Sequence, residues 1–496
     1  MHHAELPADR SHDRASPLDA PSPLDLDHAT MQRLGRDVAD LVAAHLATLR
    51  DQPVIRTLDR PAAQALITAP PPERGIEFDQ LIETLRERVF PYAVREPHPG
   101  FMAYVPGCPT FPALLGDWLA TGYNFFAGVW SVAAGPNAVE LTVLDWMREW
   151  IGMPEGAGGL LTSGGSVATL TAMIAARHAV VGDDASLMPR LAIYTSDQAH
   201  SSVVRAAWIA GVPRAQVRQL PVDDAYRMRM DALEDAIARD RAAGLVPLMI
   251  VASAGTTNTG AVDPLPQLAD LAARERVWLH VDAAYAGFAA MTERGRALLD
   301  GLGRADSVTL DPHKWLYVPF ECGCLLASDP ARLRDAFTII PEYLHDVRAA
   351  GANVNFADYG EQLTRSARAL KVWLSVSYFG TAALRRTIES RIALAEEAER
   401  LLRAEEGIEI LSSAQLAVLC FRMHPAGMDD PAALDALNER VLAAVAQGGR
   451  VYLSSTRLRG AFALRICVLG FRTTAGDIRA LVRAVTSAAR DALPQP

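Results

Sequence analysis

Between about residues 100 and 370 the chain alternates short apolar strands with stretches of helical spacing, and nothing else in it restricts the fold as much. "LAIYTS", "PLMIVASAG", "VWLHVD", "DSVTL" and "CGCLLA" read as strands, and helical stretches such as Met230–Ala243 and Pro264–Arg274 lie between them. Strands apolar on both faces need cover on both sides. Their alternation with helices predicts an α/β domain built on a largely parallel sheet. In such sheets ligands sit at the carboxyl ends of the strands.

The flanks differ. Residues 1–26 begin "MHHAELPADRSHDRASPLDAPSP", rich in Pro, Asp, His and Ser, which predicts a mobile tail. The tail has no apolar h-region, so no secretory signal is expected. Residues 27–99 carry two amphipathic stretches, 29–50 and Phe78–Val89, joined by the proline-punctuated "ITAPPPERG". Such a pair cannot bury its apolar faces alone and needs the main body or a second chain. The large domain is expected over 100–375. Residues 376–496 complete a helical connector (361–406) and a small α+β domain with "LAVLCFR", a helix at 431–446, "VYLSSTRL", "FALRICVLG" and a last helix from about 475.

Charge and cysteine usage exclude several classes. A net charge of -10 implies no basic face for nucleic acid. No apolar run reaches the ~18 residues of a membrane span. The five cysteines are scattered and odd in number, which predicts free thiols and a reducing, cytoplasmic setting. Cys322 and Cys324 are expected on one face of a strand, as buried thiols rather than metal ligands.

Three strand ends carry unusual residues. In "LTSGGSVATLTAMIAAR" (161–177) a glycine pair precedes Ser166 and an Ala-rich helix. Free N–H groups and the helix dipole there suit a phosphate, though a turn with a serine cap reads the same way. In "VWLHVDAAYAG" (277–287) Asp282 ends an apolar strand, where it either meets a cation or caps the next loop. In "DSVTLDPHKW" Lys314 follows a strand; it is either a snorkelling surface lysine or a nucleophile toward carbonyls. Phosphate cradle, acid and lysine together suit pyridoxal 5′-phosphate. A dinucleotide would want G-x-G-x-x-G, which "SGGSVA" does not supply.

On "HPGFMAYVPG", "FPALLGDWLATG", "ELTVLDW", "SDQAHSSVVRAA", "HVDAAYAG", "DPHKW" and "LRIC", the chain from about residue 30 onward resembles the group II pyridoxal-phosphate decarboxylases of the aromatic-L-amino-acid decarboxylase family. The resemblance implies PLP-dependent fold type I (aspartate-aminotransferase-like), with a mostly parallel central sheet and a smaller C-terminal α+β domain. It implies Lys314 as Schiff-base lysine, Asp282 on the pyridine nitrogen and His200 stacked on the ring. Gly165 and Ser166 fall where the family holds the phosphate. Thr257, Ala284 and His313 fall at other cofactor contacts. Some relatives carry asparagine where this chain has Asp311. An aspartate there should repel a phosphate unless it faces away or is bridged by donors, so Asp311 is assigned no phosphate contact.

The resemblance further implies decarboxylation of an L-amino acid to its amine. Tyr343, in a lid expected over 337–360, matches the catalytic-loop tyrosine, and relatives with phenylalanine there make aldehydes. Tyr104, Val105, Gly107 and Trp130 match the side-chain pocket. They are mostly apolar or aromatic and hold no cation for an acidic substrate, which favours an aromatic one. Thr364 matches a position tied to indole versus phenol preference and favours phenyl or phenol. Glu96 has no assigned place. The family pattern also implies a homodimer with active sites at the subunit interface. The competing readings are an aromatic aldehyde synthase, an acidic amino acid decarboxylase, and a non-catalytic cofactor-binding module. The last lacks an added DNA-binding domain, since the N-terminal tail is too short for one.

Overall fold

The computed structural model describes residues 22–493 except 23, 183 and 340–352. The chain divides into two compact units, Met1–Asp51 with Leu58–Pro91, and Gln52–Thr57 with Tyr92–Pro496. The first unit holds helices His28–Ala47, Arg60–Ile67 and Phe78–Arg88, none of which has a buried residue. Asp27 and Asp59 cap the first two by accepting the N–H groups of Thr30 and Ala62.

The second unit is organised by two sheets. Seven strands, β1 (Gly158–Thr162), β2 (Leu191–Ser196), β3 (Val217–Leu220), β4 (Val246–Ser253), β5 (Trp278–Asp282), β6 (Ser307–Leu310) and β7 (Gly323–Ala327), lie in the order β1-β7-β6-β5-β4-β2-β3. Neighbours from β6 through β3 are parallel. Strand β7 runs against both of its neighbours. Every residue of β2, β6 and β7 is buried, as expected for strands covered on both faces. Helices Gly165–Val181 and Ser202–Ile209 supply much of one cover, packing Met173, Ala176, Val203 and Ala207 against Ile193, Met249 and Val251.

The smaller sheet is antiparallel, with β8 (Ile408–Gln415), β9 (Val418–Met423), β10 (Ser454–Leu458) and β11 (Ala461–Cys467) in the order β10-β11-β9-β8. Leu419, Phe421, Leu464 and Ile466 form a core with Leu437 and Val441 of helix Pro431–Gln447 and with Ile478 and Val485 of helix Ala475–Ala492. Thr474 and Asp477 close a capping box at the start of the last helix.

Two expectations need correction. The connector 361–406 is two helices, Ala369–Phe379 and Thr381–Arg403, broken at Gly380, whose φ of 74° no helix accommodates. Cys322 precedes β7 and so does not share a strand face with Cys324, although all five thiols are free and buried. Among the described residues no helix is long and apolar enough to cross a membrane.

Candidate active site

A cavity of about 530 Å³ opens at the carboxyl ends of the parallel strands. Five segments of the large sheet line one side of it: Ser163–Val167 after β1, His200 and Ser202 after β2, residues between Ser253 and Asn258 at the end of β4, Asp282 and Ala284 at β5, and Asp311, His313 and Lys314 after β6.

The turn after β1 leads directly into helix Gly165–Val181. Gly164 stands at its N-cap and offers no side-chain cap, so the N–H groups of the first turn are left to a ligand. The N–H groups of Val167 and Ala168 turn back to the Gly164 carbonyl, at 3.0 and 3.1 Å. A Cβ at residue 165 would sit 3.1 Å from Ala284 Cβ and 3.1 Å from Asp311 Oδ2, so only glycine fits without displacing the cavity wall.

Asp282 closes β5 at the floor. Its Oδ1 accepts the Ala284 N–H at 3.1 Å. Burial holds this carboxyl above its ordinary value, while Lys314, the Ala284 N–H and His200 pull it back. An acid in that state gains most from a cationic partner brought into the cavity.

Lys314 sits in the single turn Pro312–Trp315, pinned by the buried ring of Trp315. Its Nζ lies 2.9 Å from Asp311 Oδ2. The chain's other lysine, Lys371, has its ammonium bound to Asp117 Oδ1 at 2.9 Å and to the carbonyls of Glu321 and Pro319 at 3.2 and 3.4 Å. Only Lys314 reaches the cavity.

His200 Nδ1 faces the Ser202 N–H at 3.2 Å and the Ser202 Oγ at 2.8 Å. His313 Nδ1 faces the Cys322 N–H at 3.3 Å. The Nε2 of His313 lies 3.6 Å from Asp311 Oδ2, and burial depresses its pKa.

The small sheet supplies a wall that sequence reading missed. Arg465 of β11 donates from Nε to the Thr257 carbonyl at 2.8 Å and from Nη1 to the Tyr104 carbonyl at 2.6 Å. Its buried Nη2 has no hydrogen-bond partner. Ser454 Oγ accepts the Tyr104 N–H at 3.2 Å. Tyr104 is thereby held with φ at 49°, a conformation uncommon for a residue with a side chain. Thr456 Oγ1 donates to Asn258 Oδ1 at 2.9 Å. No local motif joins residues 104, 258 and 465, so their meeting had no signal beyond the quoted "LRIC".

Ten residues expected at the site line this cavity: Tyr104, Val105, Gly165, Ser166, His200, Thr257, Asp282, Ala284, His313 and Lys314. Asp311 lines it as well. It does not face away; the Lys314 ammonium engages its Oδ2 as a donor, and its buried Oδ1 has no partner. Gly107 lines a neighbouring cavity instead. Trp130 opens helix Trp130–Trp150, its N–H donating to Asn355 Oδ1 at 3.0 Å, and Thr364 is exposed; neither reaches the Lys314 cavity within one chain. Tyr343 lies outside the described residues.

The donor set fits pyridoxal 5′-phosphate. An uncapped helix start matches the phosphate, a buried acid matches a protonated ring nitrogen, and a lysine after the neighbouring parallel strand matches an aldehyde. The pyridoxal-dependent decarboxylase conserved domain matches residues 62–424. An aromatic-L-amino-acid decarboxylase of Bacillus atrophaeus is 37% identical, covering 94% of this chain and 97% of its own length. Phenylacetaldehyde synthase of Arabidopsis thaliana is 32% identical, over 90% of this chain and 92% of its own. The crystal structure of Oryza sativa TDC with PLP and tryptamine superposes with a TM-score of 0.92 at 29% identity, covering 96% of this chain and all of that one. By sequence and by fold, the chain belongs to the pyridoxal-dependent decarboxylase family.

Proposed function

We propose that the chain decarboxylates an aromatic L-amino acid to the corresponding amine. The observation that carries this reading is the convergence of Lys314, buried Asp282 and the uncapped start of helix Gly165–Val181 on one cavity. Pyridoxal phosphate, when bound, supplies the electron sink that lets the bond from Cα to the carboxylate break. Lys314 would hold the cofactor through its aldehyde carbon. Gly165 and Ser166 would hold the phosphate through backbone N–H groups. Asp282 would keep the proton on the ring nitrogen. His200 would pack on the ring with its free edge toward the substrate. Thr257, Ala284 and His313 would complete the cofactor's surround. Arg465, with an unused N–H, orients the substrate carboxylate. Tyr343 returns the proton to Cα.

Tyr104 and Val105 offer an aromatic and an apolar surface to the substrate side chain. Gly107, Trp130 and Thr364 serve it from outside the Lys314 cavity, Trp130 across a subunit interface. A homodimer suits the apolar face of helix Phe111–Tyr123, where Trp118, Leu119 and Tyr123 are 50%, 51% and 72% exposed. It also suits the three N-terminal helices without a buried residue. Five buried free thiols suit a cytoplasmic location.

The test is amine and CO₂ release across L-Phe, L-Tyr, L-Trp, L-DOPA, L-Glu and L-Asp, with borohydride trapping beforehand. Trapping should place the cofactor on Lys314, and aromatic substrates should yield amine. Cofactor on Lys371, or turnover confined to L-Glu and L-Asp, would overturn the reading.

A further inference from the structure

Beside the Lys314 cavity lies a second one, of about 430 Å³. Its walls are apolar, among them Val94, Pro109, Val318, Pro319 and Phe320, and the one charged group among the described lining residues is Glu96. Two features set the cavities on either side of one wall. Gly107, on this wall, follows Tyr104 and Val105 of the larger cavity within three residues. Phe320 meets His313 of the larger cavity edge to face, with ring centroids 5.0 Å apart. A Cβ at Gly107 would fall 2.5 Å from Phe320 Cζ, so backbone and ring close on each other there.

The carboxylate is aimed. Glu96 Oε2 accepts the Gly107 N–H at 2.8 Å, which fixes the plane of the group, and Glu96 forms no ion pair among the described residues. Burial lifts its pKa, with the Gly107 N–H opposing. A half-buried carboxylate between proline, valine and phenylalanine is costly without donors. One N–H satisfies one of its two oxygens. A bare phenyl ring packed on the other would strip its water and give no donor in return, whereas a ring bearing O–H or N–H would replace that water.

We infer that Glu96 is a specificity-determining residue that accepts a hydrogen bond from the distal end of the substrate's side chain, so that the enzyme takes rings carrying an O–H or N–H in preference to phenyl. This rests on the Lys314 cavity being the site of decarboxylation. The chemistry is common to phenols, catechols, indoles and imidazoles, and the substrates tested separate them. A donor given to a charged acceptor in a partly dry site discriminates by roughly 10–100-fold over an analogue lacking it.

The experiment compares kcat/KM of the holoenzyme on L-Phe, L-Tyr, L-DOPA, L-Trp and L-His for the wild type, Glu96→Gln and Glu96→Leu. Cofactor absorbance confirms that each variant is loaded. The wild type should favour at least one donor-bearing substrate over L-Phe by ~10-fold or more. That ratio should fall partway in Glu96→Gln, which keeps an acceptor oxygen, and toward unity in Glu96→Leu. A ratio unchanged in Glu96→Gln and in loaded Glu96→Leu would overturn the inference while leaving the decarboxylase reading intact. A wild type that releases amine from none of the five would overturn both.

Discussion

The ammonium of Lys314 and the carboxylate of Asp311 face each other at 2.9 Å across the turn that ends β6, with the Asp311 side chain 5% exposed. The pair sets the Asp311 carboxylate beside Gly165, where the phosphate is proposed to sit. Like charges at such spacing repel by a few kcal/mol at an effective dielectric near 20 (~4 kcal/mol at 4 Å). Asp311→Asn should therefore bind the cofactor ~10-fold more tightly and load faster. Titration of apo enzyme followed by cofactor absorbance measures both. Weaker binding in the variant would mean that Asp311 is instead a cofactor ligand.

Asp282→Asn should separate stability from activity. Burial raises the Asp282 pKa in the folded chain. A raised carboxyl pKa contributes stability that is fully present below the unfolded value near 3.8 and is lost as pH rises through the folded value. At neutral pH the ionised group is thus a burden on the apo protein. The asparagine variant should melt higher than wild type when apo at pH 7, and the difference should vanish near pH 4. Its activity should fall at least ~10²-fold, because a neutral amide cannot hold the ring nitrogen's proton. Equal melting at pH 7 would show that Asp282 is satisfied without the cofactor.

Much of the fold was legible because the large sheet is dry on both faces. "LAIYTS" coincides with β2, and "VWLHVD" and "DSVTL" each overrun their strands by one residue. β1 was read only at its end, Leu161–Thr162, because it opens on Gly158 and Gly159, poor strand formers. β3 escaped because "VRQL" buries only its ends. The connector 361–406 read as continuous since its apolar spacing resumes straight after Gly380. At the site, Lys314 and Asp282 stood out because each is chemically costly at an apolar strand end. Arg465 and Ser454 did not, because an arginine and a serine on an antiparallel strand are ordinary until the fold sets them against Tyr104. Glu96 could not be placed because its partners, Gly107 and Phe320, lie 11 and 224 residues along the chain.

Arg365 and Glu140 form an ion pair in which each side chain is 1% exposed, at 2.7 Å. Arg365 Nη2 also donates to the Leu161 carbonyl, and Glu140 Oε1 accepts the Leu161 N–H, so the pair clamps β1 just before the glycine turn. Removing one partner strands a buried charge, which costs ~3–5 kcal/mol. Arg365→Ala should unfold at markedly lower denaturant. Arg365→Met with Glu140→Leu should recover most of that loss, since neither charge then remains. If the single and double variants are equally unstable, the clamp on Leu161 matters more than the charge pairing.

Tyr343→Phe tests the proton-return step. The substitution removes one hydroxyl and keeps the ring, so cofactor binding and folding should hold. Loss of a positioned acid slows a proton transfer by ~10²–10⁴-fold. Release of CO₂ depends on bond alignment and the cofactor's electron sink, so it should continue. The electron pair left at Cα then waits for a proton, and dissolved oxygen can take it instead. Amine should fall while aldehyde, ammonia and peroxide rise together, and excluding oxygen should suppress all three. If amine forms at the normal rate with no aldehyde, Tyr343 is not the donor. His200 then becomes the leading candidate, because its ring lines the cavity beside Lys314. His200→Asn would decide that case, since an amide can fill the space and cannot deliver a proton.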